Sequence, residues 1–205
     1  MKGMEYADRV RGAVRAGALA DALGSTVEAK TLHQIQQEFG ASGLRGFGHL
    51  RAVRGTAFTG EDRKLPFSAN TQLLLYTMDA LTELIGWANE GVGADDAATL
   101  WLAYLRWYKH QAGALPESLE MIIPERFIDS SPGMRADRSP SRAVMTALGS
   151  GEMGHPKKPA NPNAQDPSAL LRSLPFGLVP HVPVKTMLQI AQKGAALTHG
   201  HPDVF

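Results

Sequence analysis

Four short stretches carry residues that can do chemistry. The first runs Gly17-Ala18-Leu19-Ala20-Asp21-Ala22-Leu23-Gly24, with Glu28 four residues on. An acid near a helix end and a second acid in the turn after it can hold a metal, or act as acid and base. The bland reading is that Asp21 accepts hydrogen bonds at a helix junction while Glu28 is solvated. The second stretch, Phe67-Ser68-Ala69-Asn70-Thr71-Gln72, gathers oxygen side chains where a helix begins. Such oxygens suit Mg²⁺ or a phosphate, and capping by Ser68 explains them as well. The third is Ser168-Ala169-Leu170-Leu171-Arg172-Ser173-Leu174-Pro175-Phe176-Gly177-Leu178. A Ser/Ala step lets a ligand approach the backbone, and Arg172 pairs with a phosphate or with a carboxylate of the core. The fourth is Leu197-Thr198-His199-Gly200-His201-Pro202-Asp203. There His199 either donates to a ligand or caps the last carbonyls of a helix. His199, His201 and Asp203 also suggest a transition-metal site, but nothing else in the sequence supplies the missing ligand.

The elements that must position these residues read as helices. Tyr6, Val10, Ala13, Val14, Gly17 and Ala18 recur at three- and four-residue spacing, predicting a helix over 5–23 that Gly24 stops. Small residues along it allow another helix to come close. A short helix follows over 31–39, and Gly40 to Pro66, rich in glycine and charge, reads as a loop. After Ser68 as N-cap, 71–89 carries Leu74, Met78, Leu81 and Ile85 on one stripe with Leu75 and Leu84 beside it. Asp95 caps a helix whose face is Trp101, Tyr104, Leu105 and Tyr108. A weaker helix covers 138–148. Pro156, Pro159, Pro162 and Pro167 forbid a regular element over 154–167. The last helix covers 185–197, with Met187, Ile190, Ala191 and Ala195 inward. No stretch alternates with period two, and nothing repeats, so the chain is expected to be all-α, a single domain of roughly seven helices.

Composition agrees. The 205 residues include 43% apolar and 20% charged residues, a globular balance with enough length for a core. A net charge of +1 gives no reason to expect nucleic acid or a membrane surface as partner. The absence of cysteine excludes disulfides, thiolate metal sites and a cysteine nucleophile. The opening MKGMEYADRVRGAVRAG is too charged for a signal peptide and no apolar run approaches a membrane span, so a cytoplasmic location is expected.

Taken in order, the four stretches resemble the ADP-ribosylglycohydrolase family, the relatives of dinitrogenase reductase-activating and ADP-ribosylarginine hydrolases. Gly17 to Gly24 plus Glu28 is similar to the family's Gly-Asp-Ala-x-Gly…Glu motif, and Ser68 to Gln72 to its Thr-Asp-Asp-Thr-x metal motif. Ser168 to Pro175 is similar to the Gly-Ala-x-Met-Arg-x-x-Pro ligand loop, and Thr198-His199 to the Thr-His motif. The resemblance implies an orthogonal all-α bundle whose cleft holds two Mg²⁺ ions and carboxylates that hydrolyse the glycosidic bond between ADP-ribose and a protein side chain. It implies Asp21 and Glu28 as catalytic residues, Ser68, Asn70 and Thr71 as what remains of the metal ligands, and Ser168, Ala169, Arg172 and His199 as ligand-binding residues. The diphosphate is then expected against the backbone amides of the ligand loop.

The departures are chemical. Ala69 and Asn70 stand where the family motif has adjacent aspartates, so a carboxylate pair is replaced by a methyl group and one neutral oxygen. Hard cations bind by charge and oxygen count, so affinity for Mg²⁺ is expected to fall steeply. Ala20, Ser168 and Leu171 replace the family's Gly, Gly and Met. The family continues past its Thr-His motif with further helices and an Asp-x-Asp-Thr segment, which a chain reaching only Phe205 is expected to lack. Three readings follow: an ADP-ribosyl hydrolase; a catalytically degenerate relative that binds ADP-ribose or a protein partner; and a helical scaffold with no ligand. Missing helices leave an apolar face, so a homodimer or a complementing chain is expected.

Overall fold

In the computed structural model residues 5–54 and 67–204 are described. They form nine helices and no strand, only an isolated bridge between His155 and Lys158. The all-α expectation holds. None of these helices is long and apolar enough to cross a membrane. The chain divides into two compact units, Met1–Ser68 and Ala69–Phe205.

The first unit contains α1 (Tyr6–Gly24), α2 (Leu32–Phe39) and α3 (Phe47–Arg54). α1 matches its periodicity, although Tyr6, at the head of the expected stripe, is exposed and only Ala22 is fully buried. Thr31 and Gln34 form a reciprocal capping box at the start of α2. α3 corrects the sequence reading, which made Gly40 to Pro66 one loop. Its two turns are too short for periodicity to separate from the flanking glycines. They are anchored by Leu50, fully buried, and by the rings of Phe39 and His49, edge to face at 5.7 Å. The part of that stretch beyond residue 54 lies outside the described residues.

The second unit is built on α4 (Ala69–Asn89) and α5 (Asp96–Ala112), which pack along each other. Leu73, Leu74, Tyr76, Leu100, Tyr104, Leu105 and Trp107 form the centre of its core. The apolar stripe assigned to α4 is rotated from the one observed. Leu74 and Leu81 are buried, Ile85 is exposed, and the early turns also bury Thr71, Gln72 and Thr77. Periodicity missed this because the polar residues on the second face are satisfied internally. Thr77 donates to the Leu73 carbonyl at 2.9 Å. Gln72 Nε2 donates to the carbonyls of Gly133 (2.8 Å) and Ala136 (2.9 Å), and its Oε1 accepts from Trp107 Nε1 at 3.0 Å. Asp95 caps α5 as expected, and Gly113 ends it in the left-handed region at φ 86°.

Between α5 and α7 (Arg142–Gly149) the chain forms only a 3₁₀ turn at Phe127–Ser130 and the single turn α6 (Pro132–Arg135). Buried charge fixes this stretch. Asp129 is fully buried, accepting from Tyr76 Oη at 2.7 Å and from the Arg126 amide at 2.7 Å, with Arg106 Nε at 3.0 Å. Arg106 also pairs with Asp79, which takes Arg126 Nε at 2.8 Å. Burial, then the bond to Asp129, pushes the Tyr76 hydroxyl far above its usual range, so it stays a donor. α7 starts four residues later than the sequence suggested, because Pro140 bars the helix and Ser141 caps it.

The Pro-rich stretch 154–167 is irregular, as expected. It is clasped to the end of α9 (Val184–Ala196) by the Ala160 amide donating to the Ala196 carbonyl at 3.0 Å. Asn161 Nδ2 donates to the carbonyls of Ala143 (2.6 Å) and Thr198 (3.2 Å). A Cβ on Gly154 would sit 2.1 Å from the Ala196 carbonyl oxygen, so only glycine fits there. The single-turn α8 (Ser168–Leu171) follows.

Candidate functional site

In the first unit, the Asp21 carboxylate in the last turn of α1 receives Ser68. The Ser68 amide donates to Oδ2 at 2.7 Å and its hydroxyl to Oδ1 at 2.7 Å. Of the residues that resemble the opening and metal motifs, these two are thus brought together. Glu28 lies exposed in the turn region after α1. In the second unit, Thr71 is buried and Asn70 half-buried in the first turn of α4.

The chemistry of this donor set decides how well it suits Mg²⁺. Ser68, Asn70 and Thr71 offer neutral oxygens only, and the Ser68 hydroxyl proton is committed to Asp21. Among the described residues no group of three or more His, Asp or Glu side chains is disposed to hold a metal ion. A hard divalent cation needs charged oxygens in number, and Ser68, Asn70 and Thr71 supply none.

The second unit also brings the other two stretches together, across about thirty residues of chain. α8 and the residues after α9 place Ser168, Arg172, Thr198 and His199 in one hydrogen-bonded cluster, all buried. Arg172 Nη2 donates to Thr198 Oγ1, and its guanidinium carbon lies 5.0 Å from the centre of the Tyr104 ring. The core carboxylate proposed as its alternative partner is not there among the described residues: no acid lies within ion-pair distance, and Nη1 has no hydrogen-bond partner. The aromatic face, the Thr198 hydroxyl and the Gly194 carbonyl, 3.4 Å from Nη2, surround the charge, and the Asp166 carboxylate acts on it from farther off. Thr198 Oγ1 and His199 Nδ1 are 2.7 Å apart. His199 Nε2 is 3.2 Å from Ser168 Oγ and 3.2 Å from Asp166 Oδ1.

Asp166 is the residue sequence reasoning missed. It sat inside the Pro-rich loop, where proline spacing was the only signal read. The pattern Asp-Pro-Ser at a helix start was the available clue, since an Asx side chain takes the amide two residues on. Its Oδ1 receives the Ser168 amide at 3.0 Å and the Ser168 hydroxyl, and its Oδ2 the Ser141 hydroxyl at 3.0 Å. Burial alone would raise its pKa; the Ser168 hydroxyl and amide and then His199 outweigh this and hold it below the usual carboxylate range. With 39% of its side chain exposed it is the member of the cluster that faces solvent. Burial, then the Arg172 charge, pushes the His199 pKa down, so the ring stays neutral. Of the ligand-loop amides, Ser168 gives its N–H to Asp166 and Leu170 to the Pro167 carbonyl at 2.9 Å. Ala169 is buried and Leu170 exposed.

Neither the curated proteins nor the solved structures include a match to the chain. The family model described as ADP-ribosylglycohydrolase, however, matches residues 2–205. That span takes in all four chemically marked stretches, and the all-α fold is the one their resemblance implies, so the chain belongs to the ADP-ribosylglycohydrolase family.

Proposed function

We propose that this protein holds the ADP-ribose group, free or on a protein side chain, without hydrolysing it through a metal-charged site. The family acts on ADP-ribosylated substrates, which supports this ligand class. One observation carries the rest: the ligand-loop and Thr-His residues are assembled around an ionised, half-exposed Asp166, while the metal-motif positions carry neutral oxygens. Glycosidic cleavage develops positive charge on the ribose ring and negative charge on the leaving group, and neutral oxygens stabilise neither well. Asp166 is an acceptor only, suited to the paired hydroxyls of a ribose and not to a phosphate, whose charge it repels. In this reading Ser168, Arg172 and His199 support Asp166 from beneath, and Ala169 packs under the loop.

Family membership also favours hydrolysis, with Asp21 and Glu28 as the acids and Mg²⁺ as cofactor. Isothermal titration with ADP-ribose, with and without Mg²⁺, decides between the two. Binding that ignores Mg²⁺ and weakens about tenfold or more in Asp166→Asn, the scale of a lost charged hydrogen bond, supports the binding role. Mg²⁺-dependent release of ADP-ribose from modified arginine, abolished in Glu28→Gln, supports hydrolysis. No binding by any form of the protein sinks both.

A further inference from the structure

The cluster holds one more piece of information: where the His199 proton sits. Three contacts bear on it. On the Nδ1 side, Thr198 Oγ1 already accepts from Arg172 Nη2, a group that can only donate. The Thr198 hydroxyl is fully buried, and the acceptor beside it is His199 Nδ1 at 2.7 Å. A buried hydroxyl proton left without an acceptor is costly, so this one goes to Nδ1, which must be bare. On the Nε2 side stand two acceptors. Asp166 Oδ1 at 3.2 Å is a carboxylate oxygen. Ser168 Oγ at 3.2 Å has given its own proton to Asp166 and has only lone pairs to offer. A bare Nε2 would point its lone pair at both. Both edges of the ring demand the same tautomer.

We propose that Arg172 and Thr198 are positioning residues that lock His199 as the neutral Nε2–H tautomer, so that it donates permanently towards Asp166 and Ser168. The direction of every bond in the chain is then fixed from the buried guanidinium outwards: Arg172 to Thr198, Thr198 to His199, His199 to Asp166. The buried cation thereby polarises, at a distance, the carboxylate that meets solvent. Arg172 acts here as an orienting donor and not as a phosphate ligand. The functional consequence, firmer ligand binding at Asp166, rests on the binding role proposed above, whereas the tautomer itself does not.

Nitrogen-15 NMR of the histidine rings, in the intact protein near neutral pH, tests it without any ligand. The expected result for His199 is a pyridine-like Nδ1 and a pyrrole-like Nε2. A pyrrole-like Nδ1, or two pyrrole-like nitrogens, overturns the proposal. In Thr198→Val the Nδ1 resonance is expected to lose its fixed pyridine-like character, and Thr198→Ser to restore it; a Val variant with the wild-type spectrum shows that Thr198 sets nothing. The wild-type and Ser spectra stand even where the Val variant fails to fold. ADP-ribose titration then separates the two levels. A weakening of about tenfold in Thr198→Val, recovered in Thr198→Ser, supports the link to binding. A locked tautomer with no ADP-ribose binding in the wild type leaves the positioning role intact and removes the binding role.

Discussion

Asp166 and His199 have opposite charges when both are ionised, yet their shifts act in the same direction on stability. The folded-state pKa of His199 lies below its ordinary 6.5. As pH falls through 6.5 the unfolded chain takes up a proton that the folded one refuses, so stability is lost below that point. The pKa of Asp166 lies below its ordinary 3.8, so its contribution is present above that value and is lost as pH falls further. Urea midpoints measured between pH 7 and pH 5 are therefore expected to decline. His199→Gln, which keeps a side-chain donor for Asp166 but cannot titrate, is expected to flatten that slope. At this scale the sequence carried the identity of the buried members, because Ser168, Arg172, Thr198 and His199 sit in recognisable short patterns. It did not carry Asp166, whose role comes from a turn that gathers donors from Ser141, Ser168 and His199. A pairing between residues 141 and 166 depends on the path of the chain, and no local spacing encodes it.

Among the elements, α4 and α5 form the packed pair of the second unit, and the irregular stretch after α5 is held to them by charge. Asp129 is the centre of that hold. Asp129→Ala would leave Tyr76 without its acceptor and remove one of the two carboxylates around Arg106. The expected cost is about 3–5 kcal/mol, the range for removing one partner of a buried ionic network, read as a fall in the urea midpoint. Helix existence and type were legible wherever periodicity ran for several turns, as in α1, α4, α5 and α9. Legibility failed for α3, whose two turns are held by Leu50 and Phe39 and not by a long stripe. It failed again on α4, where Gln72 and Thr77 face inward. Polar residues break an apolar pattern even when the fold supplies every partner they need.

At the scale of the molecule, large apolar side chains stand out on the surface of the second unit. Ile122 and Phe127 are each 95% exposed, on the stretch that Asp129 anchors from below. Exposure and anchorage are thus separated by two residues, Phe127 and Asp129, within one 3₁₀ turn. Phe127→Asp is accordingly expected to move the thermal midpoint by no more than an ordinary surface change, within about 0.5 kcal/mol of stability, in contrast to Asp129→Ala. A large loss in the surface variant would mean that this face is covered in solution. The proline-rich loop bears on a different question, that of inheritance. Loops usually tolerate drift in length and composition. Here Gly154 lies under the Ala196 carbonyl, Gly200 lies against Pro159 and Pro162, and Asn161 joins the backbones of Ala143 and Thr198. Because Thr198 is itself part of the cluster, a residue gained or lost between 154 and 167 would disturb the proton chain as well as the loop. Descendants of this sequence should therefore vary less in this stretch than its proline content suggests, and change there in concert with residues 196–200 or not at all.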